Sequence, residues 1–150
     1  MNKNLLANSS LAPQPANQLN PQEGRLSPAP QDIVIYIVDD DDAVRDSLKL
    51  LLESHGMRVL EFGSTDEFST AYRHFPRSCL ILDMHLPVVG GLEFLASERA
   101  QGLNLPVVMI TGRADDATRE RALELGVSAF LEKPVDDLLL FAALRRALGD

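Results

Sequence analysis

The chain has 150 residues, 45% of them apolar and 24% charged, the proportions of an ordinary soluble globule of one domain. Its formal charge of −8 excludes the basic surface that non-specific nucleic-acid binding needs, so no direct DNA binding is expected. Cys79 is the only cysteine, which excludes an intramolecular disulfide and a Cys-rich zinc site. No apolar run approaches the ~20 residues that span a bilayer, and no apolar stretch follows Lys3 as in a secretory signal. A cytoplasmic protein without membrane association is the expectation.

Residues 1–31 hold five of the nine prolines, many Asn, Gln and Ser, and no aromatic residue. Such a segment buries too little to offset its ordering entropy, which predicts a disordered tail before one domain over 32–149. The tail carries +1, leaving −9 on the remainder. The first apolar run is Ile33–Val38. After it, Val44, Leu48, Leu51 and Leu52 follow the i, i+4, i+7, i+8 spacing of a helix face, and Gly56 sits where a left-handed cap is expected. A second run, Met57–Phe62, leads into Ser64 and Glu67, a capping-box start for a second helix whose end Pro76 marks. The third run is Cys79–Leu82, with a helix over 92–101. The fourth is Pro106–Ile110, with a helix over 115–125 stopped by Gly126. The fifth is Val127–Leu131, with a helix over 136–148.

Strand–helix alternation of this length predicts an α/β fold with parallel strands, right-handed crossovers and helices on both faces. Runs one, three and four are almost wholly apolar, as central strands buried on both faces require. Run two carries Arg58 and Glu61 and run five carries Ser128, which suits edges. The doubly wound order 2-1-3-4-5 puts those two outermost.

Open parallel sheets bind ligands beyond the carboxyl ends of their strands. Strand one ends in Asp39, Asp40, Asp41 and Asp42, strand three in Asp83, strand four in Thr111 and strand five in Lys133. In the expected order these converge on one patch. Two carboxylates ~4 Å apart repel by ~4 kcal/mol at an effective dielectric near 20, so such a patch either protonates or takes up a cation. One lysine is too little. A hard, oxygen-seeking divalent ion fits, and Mg²⁺, which keeps waters and awaits a phosphate, is the candidate. Carboxylate, Mg²⁺, Lys and Thr together are the parts of phosphoryl transfer.

The segments Val38-Asp39-Asp40-Asp41, Ile81-Leu82-Asp83-Met84-His85-Leu86-Pro87, Ile110-Thr111-Gly112 and Glu132-Lys133-Pro134 resemble a response-regulator receiver domain over residues 33–148, most like the FixJ-like group. The resemblance implies a flavodoxin-like (βα)5 fold and a stand-alone switch rather than an enzyme. Asp83 would be the phosphoacceptor, charged by a sensor histidine kinase or a histidine phosphotransfer protein. Asp40 would ligate one Mg²⁺ directly, Asp39 mainly through water, and His85 through its backbone carbonyl, with Asp83 completing the set. Thr111 would hydrogen-bond the phosphoryl group, Lys133 would pair with it, and Phe130 would be the aromatic switch. Lys133–Pro134 would be cis, and Gly91 would be a turn glycine needing unusual dihedrals. His85 and Arg113 occupy the positions that tune dephosphorylation. Output would pass to a protein partner, or to a homodimer, through the fourth helix, fifth strand and fifth helix. That last helix carries more apolar residues, Leu138 to Leu148, than one buried stripe uses.

Plainer readings stand beside these. The Asp39–Asp42 run suits a helix N-terminus, where acids gain ~0.3–1 kcal/mol each. Asp83 and Thr111 suit turns, and Cys79 suits a buried small hydrophobe. Asp40-x-Asp42 loosely imitates the nucleophile motif of haloacid-dehalogenase-like phosphatases, although that pattern leaves Asp83 without a role. A phosphorylation-independent pseudo-receiver is the other alternative, one that intact Asp39, Asp40, Asp83, Thr111 and Lys133 argue against.

Overall fold

A computed structural model of the chain describes residues 32–150, so the segment 1–31 read as a tail lies outside the described residues. The elements alternate without exception: β1 Val34–Val38, α1 Asp42–Ser54, β2 Arg58–Phe62, α2 Thr65–Ala71, β3 Ser78–Asp83, α3 Gly91–Ala100, β4 Val107–Thr111, α4 Asp116–Glu124, β5 Ala129–Glu132 and α5 Asp137–Leu148. The five strands form one parallel sheet in the order β2-β1-β3-β4-β5, the doubly wound, flavodoxin-like arrangement.

The strands' period of two builds two separate cores. On one face Val34, Tyr36, Val38, Leu80, Leu82, Val107 and Met109 pack with Phe68 of α2, Phe94 and Leu95 of α3 and Ala122 of α4. On the other, Ile35, Ile37, Cys79, Ile81, Val108 and Ile110 pack with Leu48 and Leu52 of α1 and Leu140, Ala143 and Leu144 of α5. Every residue of β1, β3 and β4 is buried, while β2 and β5 keep exposed or half-buried positions. The polar residues of runs two and five, Arg58, Glu61 and Ser128, thus sit where the edge of a sheet tolerates them.

Local chemistry fixes the ends. Asp41 caps α1, its Oδ1 accepting from the backbone N–H groups of Ala43 and Val44. Gly56 takes φ of +85° just beyond α1, and Ser64 Oγ caps α2 by accepting from Glu67 N. One boundary departs from expectation: α2 stops at Ala71, well before Pro76. Tyr72 leaves the helix to pack against Tyr36 and Phe68, and the Tyr36 hydroxyl donates to the carbonyl of Arg73. A buried tyrosine on the neighbouring strand therefore ends the helix, which no local signal around residue 72 announces.

Candidate functional site

The sheet register brings the strand-end residues together. Val38 pairs with Leu82, Asp83 with Ile110, and Thr111 with Glu132, so Asp39, Asp83, Thr111 and Lys133 follow side by side across four adjacent strands. Lys133 N donates to Thr111 O at 2.7 Å, continuing the ladder to the pocket itself. Carboxylate oxygens of Asp39, Asp40 and Asp83 all lie within 4.8 Å of one another. Asp39 is wholly buried and Asp83 nearly so, while Asp40 is exposed.

Lys133 reaches into this cluster, its Nζ 3.0 Å from Asp39 Oδ2 and 3.5 Å from Asp83 Oδ2. The ammonium stands close enough to Asp39 Oδ2 for a strong Coulomb pairing but is not aligned as a hydrogen-bond donor, and that buried oxygen accepts no hydrogen bond. Asp39 Oδ1 accepts from Asp41 N at 2.9 Å, and Asp83 Oδ1 accepts from His85 N at 3.2 Å. Burial, followed by the charge of Asp39, pushes the Asp83 carboxyl above the usual aspartate range; the His85 N–H and Lys133 only partly counter this. Burial alone would lower the Lys133 ammonium, but Asp39 and Asp83 outweigh it and raise its pKa.

Three carboxylates against one ammonium leave a net negative pocket, with a buried oxygen of Asp39 lacking a hydrogen-bond donor. An all-oxygen, partly open donor set of this charge fits Mg²⁺, which binds through few carboxylates and keeps waters. The site residues fit the ion that the sequence implies. Asp42, by contrast, lies exposed on α1 and pairs with Arg45, so Asp40-x-Asp42 does not bring two acids into the pocket as a dehalogenase-like nucleophile motif would.

Thr111 is buried, and its hydroxyl hydrogen-bonds the backbone of Arg113 rather than Asp83. Phe130 is half-buried with the Arg119 guanidinium 4.7 Å above its ring. The Lys133–Pro134 peptide is cis. Cys79 is fully buried, and burial pushes its thiol up to about 12. His55 and His74 do not join His85 in any metal-binding cluster among the described residues.

The expectation for Gly91 needs correcting. Its backbone is not in the left-handed region; in that loop Val88, with φ of 68°, is the residue there. A Cβ on Gly91 would lie 2.4 Å from the carbonyl oxygen of Asp83, so glycine is required because the start of α3 presses against the acceptor strand.

A second layer of residues carried no sequence assignment. Arg45 Nη1 donates to the Asp39 carbonyl at 2.6 Å and Arg45 Nε to Glu61 at 3.1 Å, while Lys49 Nζ also meets Glu61 at 3.1 Å. The available signal was one acid on edge strand two beside a basic i, i+4 pair on the first helix. Only the β1–β2 pairing and the packing of α1 make the three meet.

A doubly wound domain with an acidic, lysine-bearing pocket at its central strand ends is of the receiver class. The sequence profile of the response regulator receiver domain matches residues 35–145, and the chain belongs to that family. Over 120 residues it is 40% identical to transcriptional regulatory protein FixJ of Azorhizobium caulinodans, an alignment covering 80% of this chain and 57% of that protein. Response regulator protein TmoT of Ectopseudomonas mendocina is 36% identical over 127 residues, or 85% of this chain and 58% of the relative. The chain therefore spans under two thirds of the length of these relatives. Among solved structures, response regulator StyR superposes with a TM-score of 0.71 at 34% identity, covering 78% of this chain and 59% of that one. FixJ-N gives 0.69 at 31% identity, over 79% and 95%. Receiver domains are phosphoacceptor switches of two-component systems that bind Mg²⁺ at an acidic pocket. No helix of the described residues is long and apolar enough to cross a membrane.

Proposed function

We propose that this chain accepts a phosphoryl group on Asp83 from a phosphohistidine donor, a sensor histidine kinase or a histidine phosphotransfer protein, and converts that event into a change of its binding surface. The observation that carries this reading is the meeting of Asp39, Asp40 and Asp83 within 4.8 Å around the Lys133 ammonium. Asp39, Asp40, Asp83 and the His85 carbonyl would hold Mg²⁺, which when bound supplies charge neutralisation for the phosphoryl oxygens.

Asp83 Oδ2, the oxygen nearer Lys133, attacks phosphorus; a P–O bond forms as the P–N bond to the donor histidine breaks, and that histidine keeps the electron pair. Lys133 exchanges its contact with Asp83 for one with the phosphoryl group. Thr111 gives up Arg113 and donates its hydroxyl proton to a phosphoryl oxygen. Phe130, released from Arg119, turns towards the space that Thr111 leaves. Dephosphorylation is hydrolysis of the acyl phosphate, at a rate that the His85 and Arg113 side chains influence.

Output would leave through α4, β5 and α5. Leu123 and Leu139 are exposed there, and with Phe130, Ala142 and Arg146 they line a cavity of about 340 Å³ beside the switch residue. A protein partner or a second copy would dock on this face once Phe130 turns. Incubation with acetyl phosphate and Mg²⁺ is the test. One base-labile adduct of phosphoryl mass, lost in Asp83→Asn, supports the reading; its absence from the unaltered chain overturns it. An unchanged mass by light scattering with beryllofluoride, and no partner docking, would remove the output face.

A further inference from the structure

The loop between β4 and α4 is held by a shared acceptor. The carbonyl of Arg113 accepts from Thr111 Oγ1 at 2.7 Å, and His85 Nε2 lies 3.0 Å from the same oxygen. Arg113 N returns a hydrogen bond to Thr111 Oγ1 at 3.1 Å, closing a small ring. A carbonyl only accepts, so His85 Nε2 carries the proton and donates it. His85 belongs to the other loop, the one after β3, and its own backbone N–H donates to Asp83. One residue thus touches the acceptor through its backbone and the threonine's loop through its ring.

Thr111 has a single proton to donate. While that proton is on Arg113 O, it is withheld from any group on Asp83, and a shift of the 112–115 loop breaks both bonds that hold Thr111 Oγ1 at once. The His85 bond to the same carbonyl opposes this shift. Around the bridge, Met84, His85, Arg113, Ala114, Asp115 and Thr118 line an open cleft of about 370 Å³, room into which a released loop can move.

We infer that the His85 side chain is a positioning residue, a latch that keeps Thr111 in its resting hydrogen bond and so sets how readily the domain switches. This rests on the roles proposed above for Asp83 and Thr111. Breaking one such bond changes the resting-to-switched ratio by about five-fold.

The test compares the unaltered chain with His85→Ala and with His85→Gln, whose amide Nε2 keeps a donor at similar reach. Hydrogen exchange of the Arg113 and Ala114 amides is followed without Mg²⁺ or phosphate, and beryllofluoride affinity is then titrated with Mg²⁺ present. The latch predicts about five-fold faster exchange and about five-fold tighter beryllofluoride binding in His85→Ala, with His85→Gln close to the unaltered chain. Unchanged exchange, unchanged or weaker binding, or a Gln variant that behaves like Ala would overturn it. Failure of the unaltered chain to take up beryllofluoride overturns the phosphoacceptor reading instead, and the exchange data then decide the latch alone.

Discussion

A single methyl group on Gly91 would come within 2.4 Å of the carbonyl oxygen of Asp83, far inside van der Waals contact. The first residue of α3 therefore sets the position of the proposed acceptor from behind. Gly91→Ala forces β3 and α3 apart, at a cost of about 1–3 kcal/mol typical of overpacking. Urea denaturation should give that loss, together with slower uptake of phosphate from acetyl phosphate.

The pKa of Asp83 gives the metal-free protein an unusual pH dependence. Its folded value is raised, so its ionisation disfavours the fold. That penalty is absent below the ordinary value of 3.8, grows as pH rises through the raised value, and is complete above it. Asp83→Asn removes the penalty. Without Mg²⁺ it should melt above the unaltered chain at neutral pH, and the gap should close in acid. Saturating Mg²⁺ at one hundred times its dissociation constant adds about 2.7 kcal/mol to the unaltered chain, and markedly less to the variant.

Glu61 behaves in the opposite sense. Lys49 and then Arg45 hold its carboxylate below the usual range against the effect of burial, so its contribution exists above about pH 4.5 and disappears as pH falls through the lowered value. Glu61→Gln should cost about 0.5–1 kcal/mol, in keeping with partly exposed pairs. It also loosens the grip of Arg45 on the Asp39 carbonyl, so Mg²⁺ affinity measured by calorimetry should fall several-fold.

Val88 stands at the centre of a positive-φ γ-turn, with Val89 N donating to Pro87 O at 2.8 Å and its own side chain 99% exposed. A β-branched residue there costs about 1–3 kcal/mol. Val88→Gly relieves that strain, offset by about 0.4–1 kcal/mol of extra freedom in the unfolded chain. Thermal melts should give a net gain of about 1 kcal/mol.

Cys79, buried and with its thiol at about 12, should resist maleimide at pH 8 while the chain is folded. Labelling in graded urea should track global unfolding, because β3 is a central strand. Rapid labelling without denaturant would contradict this burial.

The legible parts of the sequence were those in which one physical requirement acts over a short span. Unbroken apolarity in runs one, three and four reports strands buried on two faces, and an acid, a hydroxyl or an amine after each run reports a strand end. The early stop of α2 at Ala71 was not legible, because Tyr36 causes it from another strand. The unusual dihedrals expected at Gly91 are absent for a similar reason: glycine signals either backbone freedom or want of space, and only the approach of Asp83 decides between them. Arg45 and Glu61 read as surface charge until β1 and β2 pair.

The pocket draws on β1, β3, β4 and the segment after β5, so its members are synthesised far apart in time. On a ribosome, the buried acids of Asp39 and Asp83 emerge long before Lys133, the ammonium paired with them among the described residues. A nascent chain therefore has no complete pocket until the segment after the last strand docks, and the proposed competence for phosphate doubles as a certificate of finished folding.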